Sequence, residues 1–103
     1  MSILHDLFDT IEARKAEGGA KSWTAKVLAK GPEKCAEKFG EEAIEASIEA
    51  VKGDRAALTS EAADVLYHLL VMLASRDVLL ADVLIELDRR TQSSGIAEKS
   101  SRI

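Results

Sequence analysis

Aromatic side chains are nearly missing from these 103 residues: two Phe, one Tyr and one Trp make up 4% of the chain. There is also only one proline. A β-sandwich, rich in aromatic and β-branched strands joined by tight turns, is therefore not the expected architecture. The single cysteine, Cys35, leaves no internal disulfide and fits a reducing cytosol. It reads as a small buried apolar residue. Basic charge is not in excess: 14 Lys and Arg face 18 Asp and Glu, a net charge of −4. A nucleic-acid partner thus has no electrostatic support. The N-terminal MSILHDLFD carries acids and no basic region, unlike a signal peptide. The longest apolar stretch, residues 65–74, is about half of the ~20 residues a membrane span needs. A cytoplasmic protein with no membrane partner is expected, with residues 1–103 forming one domain.

What is present is a balance of 47% apolar and 31% charged residues, typical of a soluble helical chain. Leu4, Leu7, Phe8 and Ile11 repeat at i, i+3, i+4, i+7, which predicts a first helix over 2–17, ended by Gly18-Gly19. His5 flanks that stripe and reads as a surface residue. Ser22 can cap a short helix in the connector 20–31, ending at Gly31. Trp23 lies there, expected as a core or interface plug, with stacking on a purine as the weaker reading. Pro32 starts the next main helix, which runs to Lys52 and stops at Gly53. Gly40 within it suggests close backbone packing. Asp54 caps a third main helix reaching Arg76, and a fourth covers about 80–93. The fold expected is all-α, a bundle of about four main helices per chain. From Val65 to Ala74 the third is apolar nearly all round, so it must be covered on most sides. One short chain cannot easily do this, and a homodimer is expected.

Two pairs of acids stand out against this scaffold. Glu42 and Glu45 are spaced i, i+3, as are Glu61 and Asp64. Each pair shares one helix face, where like charges repel. The 15 residues between Glu45 and Glu61 suffice to finish one helix, turn, and bring the next alongside, so the pairs can face each other. Such an oxygen-rich cluster suits a hard cation such as Mg²⁺. No His or Cys pair has zinc spacing, and no glutamate has a histidine three residues on, as a di-iron bundle requires. Solvated helix faces are the competing reading, set against the repeat of the spacing and the apolar run after Asp64. Lys26, Lys30, Lys34 and Lys38 recur every four residues toward the acids, though Gly31-Pro32 interrupts any single helix through them. A basic stripe beside a metal site suits phosphate chemistry; alone, it is a solvated surface.

The pattern Glu41-Glu42-Ala43-Ile44-Glu45, then Glu61-Ala62-Ala63-Asp64, resembles the all-α MazG-like nucleoside triphosphate pyrophosphohydrolases. SWTAKVLAKGPEKCAEKFGEEAIEA, EAADVLYHLLVML and RRTQSSGIAEKSSR are similar to the phosphoribosyl-ATP pyrophosphohydrolase family, over about residues 3–102. That resemblance implies a dimeric helical enzyme of histidine biosynthesis. It would split 1-(5-phosphoribosyl)-ATP between the α- and β-phosphates into 1-(5-phosphoribosyl)-AMP and pyrophosphate. By matching position, Glu42, Glu45, Glu61 and Asp64 would hold Mg²⁺. Glu41 or Glu45 would orient or deprotonate the attacking water. Lys26, Lys30, Lys34 and Lys38, with Lys99 and Arg102 from the tail, would neutralise substrate phosphates. Tyr67 and His68 read as packing residues. Two alternatives stay open: a house-cleaning pyrophosphatase of the same superfamily acting on deoxynucleotides, and a helical interaction module without catalysis.

Overall fold

In a computed structural model, residues 2–18 and 22–92 are described, and they form five helices. These are α1 (Ile3–Glu17), α2 (Trp23–Ala29), α3 (Pro32–Lys52), α4 (Arg55–Ser75) and α5 (Leu80–Gln92). The expected all-α class and the four main helices are present, and the connector supplies the short α2.

Local chemistry accounts for the boundaries. Ser2 and Ser22 accept hydrogen bonds from the Leu4 and Ala25 amides through their hydroxyls, at 3.1 and 3.0 Å. These satisfy donors that a helix start otherwise leaves open. Pro32 opens α3, where its missing N–H costs nothing. Gly53 ends that helix in the left-handed region, φ 79°, which a side chain would strain. Asp54 follows at once and caps α4, its Oδ1 accepting from the Ala57 amide at 3.0 Å. The whole reversal is therefore two residues long, and α3 and α4 return side by side as an antiparallel hairpin. Asp54→Ala is expected to lower stability by about 1 kcal/mol, read as a urea midpoint shift, because it removes an exposed cap and no packing.

The core lies where α1 and α2 cross the distal half of this hairpin. Phe8 and Ile11 of α1, Val27 of α2, Cys35 of α3 and Leu70, Val71 and Ala74 of α4 are buried together, with Leu80 closing the end. The Cys35 thiol donates to the Val27 carbonyl at 3.7 Å, and burial pushes its pKa up, as for an inert structural thiol. Lys15 ties α1 to the turn after α4, donating to the Ala74 carbonyl at 2.8 Å and pairing with Asp77. α5 leans on this body through Leu80 and Leu84.

Gly40 departs from its expected role: a Cβ built there meets nothing within 4 Å, so among the described residues no other element packs closely on it. The proximal half of the hairpin carries a different surface. Ile44, Ile48 and Val51 of α3 are 64%, 51% and 89% exposed, and Leu66 of α4 is exposed as well. By length and composition alone α4 could cross a membrane. Its acids and its long packing against α3 are those of a bundle helix.

Candidate active site

The two-residue reversal sets the register of the hairpin, and the register decides which acids meet. Glu42 and Glu45 lie on one face of α3, one turn apart. Glu61 enters from α4, so that carboxylate oxygens of all three fall within 4.8 Å of one another. Among the described residues this is the one group of His, Cys, Asp and Glu that converges so closely. Opposite oxygens around Mg²⁺ stand about 4.2 Å apart, twice its bond length, so small side-chain shifts would close the trio on such an ion.

The electrostatics are those of a cluster short of positive charge. Burial, then the neighbouring charges of Glu45, Asp64 and Glu61, push the Glu42 carboxyl above its usual range. Burial likewise leads for Glu61, followed by the charges of Glu45, Asp64 and Glu49. Oε1 of Glu61 is buried with no hydrogen-bond partner. An orphaned, desolvated carboxylate oxygen is costly unless something positive meets it. The donor set, all hard oxygen, fits Mg²⁺ and does not resemble a zinc site.

The other candidates fall in different places. Asp64 is exposed and lies outside the close trio, although its charge acts on Glu42 and Glu61. Among the described residues, the apolar run after it does not bury it. Glu41 is turned away toward Lys38, whose ammonium pairs with it at 3.2 Å. Lys34 pairs with Glu37 at 2.6 Å. Lys30 and Lys34 share the rim of an open hollow with Glu33 and Glu37, where like numbers of each charge meet. Lys26 is exposed on α2. Gly31, at φ 97°, redirects the backbone between Lys30 and Lys34, so the four lysines do not form one straight stripe. Lys99 and Arg102 lie outside the described residues.

One acid was absent from the motif-based set. Glu49 sits one turn beyond Glu45, its Oε1 buried with no hydrogen-bond partner and 3.7 Å from the Lys52 ammonium. Its charge reaches Glu61. The spacing Glu42, Glu45, Glu49 continues one helical face and could have flagged it.

Behind the acids, Tyr67 and His68 pack as expected. His68 is buried and its ring meets Tyr67 edge-on at 4.9 Å between centroids. Burial, then the charge of Lys38, lowers its pKa, which favours the neutral imidazole.

Comparison with known proteins bears directly on this arrangement. The family model described as phosphoribosyl-ATP pyrophosphohydrolase matches residues 4–91, which hold every helical acid considered above. A phosphoribosyl-ATP pyrophosphatase of Ruegeria pomeroyi is 76% identical over 102 residues, covering 99% of this chain and 97% of that relative. The proteins of that name from Dinoroseobacter shibae and Cereibacter sphaeroides are 74% and 71% identical over 102 residues, each covering 99% of this chain and 100% and 99% of the relative. With the match running through all five helices and near-complete coverage on both sides, this chain belongs to the phosphoribosyl-ATP pyrophosphohydrolase family.

Proposed function

We propose that this protein hydrolyses the α–β phosphoanhydride of 1-(5-phosphoribosyl)-ATP, releasing 1-(5-phosphoribosyl)-AMP and pyrophosphate, in the histidine pathway of the cytoplasm. The observation that carries the chemistry is the convergence of Glu42, Glu45 and Glu61. The choice of substrate rests on relatives that bear the phosphoribosyl-ATP pyrophosphatase name at 68–76% identity over nearly the whole chain.

Glu42, Glu45 and Glu61, with Asp64 moving in from its exposed position, would hold Mg²⁺. Bound there, the cation supplies positive charge against the phosphate oxygens and makes phosphorus more open to attack. Glu45 is the better placed of the two candidate bases. It belongs to the trio, whereas Glu41 is engaged by Lys38. A carboxylate at that point can hold the attacking water and accept its proton as the anhydride breaks. Lys38, half-buried beside the acids, would meet the triphosphate, with Lys26, Lys30, Lys34, Lys99 and Arg102 available for the remaining charge. The exposed apolar residues Ile44, Ile48 and Val51 of α3 and Leu66 of α4 support the homodimer, which would cover them.

Turnover of phosphoribosyl-ATP compared with deoxynucleoside triphosphates tests this reading. The expected result is a clear preference for phosphoribosyl-ATP, read as pyrophosphate release. Preference for a deoxynucleotide would assign the same carboxylates to a house-cleaning pyrophosphatase. No turnover of either would leave a non-catalytic helical module.

A further inference from the structure

Trp23 is not the core plug that its size suggests. The residue is 55% exposed, although Ala25 and Val27 on the same short helix are buried almost completely. An exposed indole is a large apolar surface left in water, and this one is not floppy. Ser22 caps α2, the Thr24 hydroxyl is paired with that of Tyr67 on α4, and the Cys35 thiol reaches the Val27 carbonyl. α2 is thus pinned to both arms of the hairpin that carries the acids, and it holds the ring outward.

What the ring faces is informative. The Lys38 ammonium lies over it, 5.6 Å from the ring centroid. The same ammonium pairs with Glu41 at 3.2 Å. Lys38 and Glu42 are four residues apart on α3, one turn along the same face. An aromatic plane, a cation and an acid cluster therefore follow one another across α2 and α3. A nucleotide carries a π-face and a polyphosphate in that same order.

We propose that the Trp23 indole is the stacking surface for the purine of the substrate, and that Lys38 beside it meets the phosphates that lead to the carboxylate site. The inference rests on the nucleotide substrate proposed above and adds the residue that recognises its base. Stacking is sequence-tolerant, because every base has a π-face, so Trp23 serves binding and not the bond-breaking step.

Trp23 is the only tryptophan, so intrinsic indole fluorescence reports this residue alone. With the wild-type protein and Mg²⁺ present, ATP is expected to quench it saturably, and inorganic tripolyphosphate, which has no base, to leave most of the signal. Equal quenching by the two would mean that the ring senses only charge near Lys38, and would overturn the proposal. In turnover, Trp23→Ala is expected to raise KM for phosphoribosyl-ATP about tenfold with kcat within about threefold, and Trp23→Phe to restore KM to within about threefold. An unchanged KM in Trp23→Ala would sink the idea. So would a drop in sedimentation mass, which would identify the ring as an intersubunit plug. The ATP quench does not need catalysis. A wild-type protein that binds ATP through Trp23 but leaves phosphoribosyl-ATP intact would refute the proposed activity and keep the stacking site.

Discussion

Replacing Glu42 and Glu61 together by glutamine is expected to reduce hydrolysis of phosphoribosyl-ATP about a thousandfold or more, equal to roughly 4 kcal/mol of transition-state stabilisation. The helices should remain. Glutamine keeps the shape and removes two of the three charges that converge within 4.8 Å. Without metal, the variant should melt no lower than the wild type at neutral pH, and higher if repulsion dominates. The sign follows from the carboxyls themselves. Both are pushed above the ordinary value of 4.5, first by burial and then by neighbouring acids. An acid with a raised pKa in the folded state penalises folding once pH climbs above its unfolded value. The penalty is fully present above the raised pKa and disappears below about 4.5. The gain from glutamine should therefore shrink as pH falls into that range. On the proposed Mg²⁺ reading, adding the cation stabilises the wild type by about 2.7 kcal/mol at a hundredfold excess over Kd, raising its midpoint, and leaves the variant unmoved. Thermal melts by circular dichroism with and without Mg²⁺, alongside pyrophosphate release, give both readouts. Normal turnover in the double variant would remove these acids from the chemistry.

The second large effect belongs to the core. Leu70→Ala is expected to cost about 2–5 kcal/mol, because it deletes a branched side chain with no room for the surroundings to collapse. Leu70 is 1% exposed and packs with Ile11, Val27 and Val71 where three helices cross. For a domain holding about 5–15 kcal/mol in total, that is a large share. A chain of this size should lose on the order of 10–40 °C in Tm, seen as an earlier cooperative transition. A loss under about 1 kcal/mol would mean that the neighbouring side chains close the vacated space. The contrast with the first prediction is diagnostic. The glutamine pair removes activity and spares the fold, whereas Leu70→Ala lowers stability while the acids stay intact.

Trp23 and Glu41 show where reading along the chain falls short. Trp23 carries the side chain most expected to be buried, and its neighbours Ala25 and Val27 are. Which way a residue on a seven-residue helix points depends on how that helix docks, and one turn of periodicity cannot decide it. Glu41 and Glu42 are adjacent and chemically equal. Only docking against α4 separates them, sending Glu42 into the cluster and leaving Glu41 to Lys38. The exposure of Asp64 has the same origin. An apolar stretch after an acid predicts burial, yet among the described residues no element covers that part of α4, and Leu66 stays exposed with it.

The helices themselves were legible because their causes are local. Ser22, Pro32, Gly53 and Asp54 act within a turn of their own positions, and α3 begins at Pro32 and ends at Lys52 as those signals require. The i, i+3 acid pairs were legible too, since helical geometry alone puts each pair on one face. That the two faces should meet followed from chain length as a possibility, and the register made it definite for Glu61 while leaving Asp64 outside the close trio. A one-turn slip of α4 against α3 would carry Glu61 about 5.4 Å out of reach of Glu45. Sequence determined an all-helical chain with acids spaced for a hard cation. Tertiary packing decided that Glu42, Glu45 and Glu61 form the close cluster, that Glu49 borders it, and that Trp23 faces outward beside Lys38. Spacing constrains neighbours along a helix, whereas contact between helices is set by side chains far apart in sequence.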